Sequence, residues 1–264
     1  MPLTIAHPAV AYPFRRALSH VNGLSALAIG SMTPDLPYFV RLGVTGGQSH
    51  SAAGLLWFCA PAGLALFGVY DALLRPMLTG LLPNAIRLRL RRRDDAGAMT
   101  DGRTLAATAG LVLAGAASHV CWDACTHGNG ALVRLVPTLQ ATTTVFGIAM
   151  PRFSVSQYAS TLVGLMVLAV WAAQWFIATE PQARGDEPGI PAWARVTIAA
   201  ALVVPGVVVA ISRLLPVLRH HTISFRILQN AFSAAAFAGG SVEIVAVILA
   251  ALAWRALAGD LHAG

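Results

Sequence analysis

In the stretch His119-Val120-Cys121-Trp122-Asp123-Ala124-Cys125-Thr126-His127, an ionisable side chain recurs every four residues. Four residues turn an α-helix through about 400°, so His119 and Asp123 share a stripe, and His127 extends it if the helix persists. Imidazole nitrogen and carboxylate oxygen together suit zinc or a similar borderline divalent ion. Cys121 and Cys125 fall on roughly the opposite side and are excluded as ligands. His50, in Ser49-His50-Ser51, is a further donor, as is His7 near the N-terminus. Asp35 lies in the turn-prone run Thr33-Pro34-Asp35-Leu36-Pro37, where flanking prolines stiffen the backbone. The candidate metal ligands are therefore His7, Asp35, His50, His119, Asp123 and His127. His220 and His221 are possible additions. Asp35 and Asp123 are also the candidate proton acceptors. His20 and His262 have no companions and read as surface residues.

The elements that must carry these residues are apolar. Hydrophobic residues make up 56% of the 264 and charged residues 11%, whereas a water-soluble domain carries about 25% charged residues. A chain with so few charges must face lipid. A spanning helix needs roughly 20 mostly apolar residues. Four segments meet this: Ala52–Leu74, Gln157–Ala178, Trp193–Leu215 and Ala231–Leu257. Thr104–Trp122 is shorter and makes a fifth. Before them, Leu24 to Met32 reads as a short helix retained in the mature protein. The expected fold is all-α: a polytopic membrane helix bundle of about five spans with a short N-terminal helical segment. Residues 1–264 form one integral membrane domain, with ligands from 1–51 and a bundle over 52–258.

Topology converges the ligands. Consecutive spans run antiparallel, so His50, before the first span, and His119, Asp123 and His127, at the end of the next, arrive at one membrane face. The N-terminal segment bearing His7 and Asp35 joins that face, and His220 and His221 reach it between the last two spans. The net charge of +7 comes from Arg alone, as the sequence has no Lys. Six of the 18 Arg lie between Arg87 and Arg103, which reads as a cytoplasmic loop touching anionic headgroups rather than a nucleic-acid surface. The metal site is then expected on the outer face of a multi-pass membrane protein. Glu243 lies mid-span in line with Ala231, Ala235 and Gly239, small residues that let helices approach closely. It is expected to face a partner helix.

The sequence resembles an uncharacterised bacterial membrane-protein family known as a domain of unknown function, a resemblance that would place it in an inner membrane. The matching text is Ile5-Ala6-His7-Pro8, Gly30-Ser31-Met32-Thr33-Pro34-Asp35, Ser49-His50-Ser51, and Ser118-His119 through Thr126-His127. The same order is similar to membrane-bound metal-dependent hydrolases of the YdjM type. More distantly it resembles the zinc phospholipase C and P1 nuclease group, whose ligands run His, Asp, His, His-x-x-x-Asp, His. That resemblance implies one metal on Asp35, His50, His119 and Asp123, with Asp123 bridging to a second metal on His7 and with His127 at a further position. The group's N-terminal Trp and its later His-x-x-x-Glu or His-x-x-x-Asp pair are missing here, so one or two zinc ions are implied rather than three.

The expected function is a membrane-embedded metal-dependent hydrolase acting on a phosphoester in a lipid or lipid-linked substrate. Its partners would be membrane lipids and that substrate. Two rivals use the same ligands: a metal-binding or transport protein, and an assembly factor with a structural metal.

Overall fold

The structure is a computed structural model that describes residues 4–18, 23–90, 102–182, 190–219 and 224–263, with side chains to residue 257 in the last helix. The chain divides into two compact units, Met1–Phe67 with Arg93–Trp175, and Gly68–Arg92 with Phe176–Gly264. Five helices are long and apolar enough to cross a membrane: Ala52–Leu81, Gly102–Leu135, Arg152–Ala178, Ala192–Leu218 and Phe225–Leu257. The protein is a helical membrane protein, as its composition requires. Each span extends beyond its apolar stretch, because backbone hydrogen bonding does not stop where hydrophobicity does. Pro191, which cannot donate a hydrogen bond, caps the start of the fourth span.

In the first unit the chain opens with a 3-10 stretch, Thr4–Phe14, containing Pro8 and Pro13. Each proline removes a donor that an α-helix would use. Helix α1, Gly23–Gly30, follows. It packs on the second span, whose regular helix α2 is Gly102–Thr126. The two backbones touch. A Cβ on Gly30 would strike the Val112 backbone, and one on Gly115 would strike the Leu27 carbonyl and the Ser31 nitrogen. Around this contact Ala26, Phe67 and Val112 form one apolar cluster, and Phe58, Cys59 and Ala116 another. The first span includes a π-helical turn at Leu55–Cys59, directly after the His50 segment. Such turns reset the face that a helix presents.

After α2 the sequence forms α3, Ala131–Leu135, then an antiparallel hairpin of β1, Thr142–Val145, and β2, Ile148–Pro151. The hairpin was not anticipated in an all-α reading. It is the one sheet among the described residues and leaves the helical class intact. Helix α4, Arg152–Ala178, follows.

In the second unit α5, Ala192–Leu218, packs on α6, Phe225–Ala263. A Cβ on Gly239 would meet the Gly206 carbonyl oxygen at 2.6 Å, and one on Gly206 would collide with the Glu243 side chain. Glu243 therefore lies over Gly206 of the neighbouring helix, on the small-residue face read from the sequence. Ala231 and Ala235 of that face are buried. Asp71 is a buried carboxylate that the sequence reading did not single out. It pairs with Arg75 one turn later at 3.2 Å.

Candidate metal centre

The centre lies in the first unit, and each ligand is set by its local backbone. Thr33-Pro34-Asp35 forms one buried 3-10 turn. Thr4 Oγ1 donates to Asp35 Oδ2 at 2.6 Å, which leaves Oδ1 for other partners. Thr45 and Gln48 form a reciprocal capping box that starts the helical turn Gly46–Ser49. His50 is its C-cap. Ser49 Oγ donates to the Pro34 carbonyl at 2.7 Å, tying the His50 turn to the Asp35 turn. His119 and Asp123 sit one helical turn apart on α2, both buried, as their spacing requires.

The tautomers of both central histidines follow from their backbone partners. His50 Nδ1 is 2.8 Å from the Gly46 carbonyl, and His119 Nδ1 is 2.7 Å from the buried Ser31 carbonyl. A carbonyl only accepts, so each Nδ1 carries the hydrogen. In the neutral rings each Nε2 then offers a lone pair. Those two nitrogens are 3.2 Å apart. Asp35 Oδ1 lies 3.5 Å from His50 Nε2 and 3.6 Å from His119 Nε2. Asp123 Oδ2 lies 3.5 Å and 3.3 Å from the same two atoms. Ligand atoms of all four residues fall within 4.8 Å of one another.

Four lone-pair donors facing one another in a nearly buried space repel unless a cation lies between them. The spacing fits such an ion. Bonds of about 2.0–2.1 Å to a tetrahedral centre place neighbouring ligands about 3.3–3.4 Å apart, and the five separations above run from 3.2 to 3.6 Å. Without a metal, a proton takes the cation's place. Burial alone would lower the pKa of His50, but the carboxylates of Asp123 and Asp35 overcome it and push the pKa up to about 9. Burial would likewise raise the pKa of Asp35, yet His119, His50 and Thr4 hold it well below the carboxylate range.

The other oxygen of Asp123 faces a different group. Oδ1 lies 3.7 Å from His7 Nε2 and 3.3 Å from His127 Nδ1. His7 is buried and stacks on the His119 ring with centroids 3.7 Å apart. Both of its ring nitrogens, and Asp123 Oδ1, are buried without a hydrogen-bond partner. Burial, followed by the proximity of His119, lowers the His7 pKa to about 4, so the ring is neutral at physiological pH. His127 turns Nε2 toward the Gln157 amide at 3.2 Å.

Four of the six ligands expected from sequence thus meet at one point, and His7 and His127 flank it through Asp123. His220 and His221 lie outside the described residues. Cys121 is exposed and Cys125 half-buried, and neither belongs to the four-residue cluster. Sequence reasoning missed Thr4, Gln157 and the Ser31 and Gly46 carbonyls. Gln157 opens an apolar run and is buried, a polar exception that was there to be noticed. The carbonyls carry no sequence signal, since every residue has one.

The chain belongs to the family described as Domain of unknown function (DUF4184), which matches residues 1–254. No curated protein matches it. No solved structure matches it either.

Proposed function

We propose that this member of the family is a membrane-embedded metal-dependent hydrolase, acting on a phosphoester in a lipid or lipid-linked substrate. The observation that carries the reading is the set of two fixed Nε2 lone pairs and two carboxylate oxygens gathered within 4.8 Å of one another. Asp35, His50, His119 and Asp123 would hold a zinc ion. His7 and Asp123 Oδ1 would hold a second ion, with His127 beside it, which leaves coordination positions for water or substrate. Zinc held there would lower the pKa of a bound water toward neutrality and polarise a phosphoryl oxygen.

The chain's own groups supply the rest. Thr4 occupies one oxygen of Asp35, whereas Asp123 Oδ1 has no hydrogen-bond partner. Asp123 would therefore be the carboxylate shared by the two ions, set beside any water held at the second one. His50 and Asp123 are the most accessible of the four ligands, with side chains 19% and 12% exposed, so substrate would approach from their side. The likeness of the ligand order to zinc phospholipase C supports zinc and a phosphoester. Reading the Arg-rich run as a cytoplasmic loop would put the site on the outer face of a bacterial inner membrane.

One observation favours a second reading, a structural metal in an assembly factor. Four protein ligands on one ion describe a closed site. Cobalt substitution separates the two readings. A tetrahedral spectrum unchanged by added phosphate, with no hydrolysis of phospholipid or lipid-linked phosphate, would favour the structural role. A spectrum that shifts with phosphate, with hydrolysis abolished by Asp123→Asn, would establish the hydrolase.

A further inference from the structure

The end of the second span and its connection to the third carry exposed apolar side chains where a water-facing loop would carry polar ones. Leu135, at the end of α3, is 77% exposed, Ile148 45%, and Phe146, at the hairpin tip, 100%. Phe146 and Gly147 form a two-residue turn with φ of 50° and 78°. Asn or Gly takes this left-handed conformation readily, and a bulky aromatic residue does not. Holding phenylalanine there, fully exposed, is unfavourable in water on both counts. A two-stranded hairpin is itself only marginally stable in water.

These side chains are presented on a fixed scaffold. The Gln140 amide donates to the carbonyl of buried Val133 at 3.1 Å. The backbone nitrogen of Arg152, first residue of the third span, donates to the Ala141 carbonyl at 3.0 Å. The hairpin base is thus stitched to the start of a membrane span. The charge around it has one sign: Arg134 and Arg152 are exposed, and no Asp or Glu occurs from Ala124 to Thr179.

We infer that the segment from α3 to the hairpin is a membrane-interface element. Leu135, Phe146 and Ile148 enter the boundary between headgroups and acyl chains, and Arg134 and Arg152 meet lipid phosphates. Aromatic residues favour this layer because it accepts an apolar ring beside polar groups, and arginine gains there from anionic lipid. The element begins a few residues after His127, so it holds the metal centre at headgroup depth. The inference rests on the spans and the hairpin and is independent of the chemistry proposed for the centre.

The test is spin-label accessibility in the full-length protein, in nanodiscs of mixed phosphatidylcholine and phosphatidylglycerol. Cys121 and Cys125 are replaced by Ser, and Cys59, fully buried, is kept. Phe146→Cys is labelled, with Leu135→Cys as a second site should the turn reject cysteine. Val163→Cys on α4, 52% exposed within a span, gives the lipid reference, and free label gives the water reference. The expected result is oxygen collision exceeding chromium-oxalate collision, as at Val163, with a shallower depth. Chromium-oxalate collision like that of free label would overturn the inference. So would an immobilised label with spin–spin broadening, which would show a second copy on this surface.

Discussion

At the scale of single residues, the centre depends on hydrogen bonds that aim lone pairs. Ser31 and Gly46 fix two imidazoles through their carbonyls, and Thr4 fixes a carboxylate through its hydroxyl. Groups behind the ligands typically set metal affinity by about 10–100-fold. Thr4→Val, which keeps the shape and removes the donor, is therefore expected to weaken zinc binding by about that factor without unfolding the protein. Competition with a chromophoric chelator measures it, and unchanged affinity would show that Asp35 is aimed by other contacts.

Protonation adds a second prediction. With its pKa raised from 6.5 to about 9 in the metal-free protein, His50 is protonated at neutral pH. The proton's contribution to stability is full below 6.5 and is lost as pH rises through about 9. Zinc must displace that proton, so binding at pH 7 releases protons and tightens as pH rises toward 9. Calorimetry in buffers of different ionisation enthalpy reads the release directly. A heat independent of buffer would show the histidine already neutral.

At the scale of elements, glycines let helices come close enough to build each unit. Gly115→Ala would press a methyl against the Leu27 carbonyl and the Ser31 nitrogen, backbone atoms that cannot swing aside as a flexible side chain can. Overpacking of this kind costs about 1–3 kcal/mol. Because Ser31 also orients His119, the variant is expected to lose thermal stability and metal affinity together. In the second unit, Gly239→Leu is expected to lower the melting temperature in detergent by separating α5 from α6. A wild-type melt for Gly239→Leu would mean that this face is not a packed interface. These elements were legible in the sequence because hydrophobic runs report spans directly. The His119 and Asp123 stripe was legible because helical periodicity reports a shared face. The hairpin was not, since Thr142–Val145 and Ile148–Pro151 are short and Phe146-Gly147 is not a common turn pair. The span ends were not, since helices run on past their apolar residues.

At the scale of the whole molecule, one candidate span, Gly102–Leu135, lies in sequence between the Arg-rich segment and the hairpin. The basic run 87–93 and residues 127–150 are therefore expected on opposite sides of the membrane, the former in the cytoplasm. Membrane-impermeant labelling of cysteines placed at Arg89 and Arg134 should modify one from each side, and labelling of both from the same side would contradict the spans as well as their orientation. The ligands came together from distant segments because crossing parity leaves His50 and His119 on one face. Which backbone groups would orient them there depended on three-dimensional packing.

The central claim, that Asp35, His50, His119 and Asp123 hold a metal ion, is tested most directly by elemental analysis of the protein purified without chelator. The wild type is expected to contain at least one zinc or similar divalent ion per chain. His119→Ala, folded by circular dichroism, is expected to lose it. Wild type and variant with the same metal content, whether both empty or both loaded, would contradict the account.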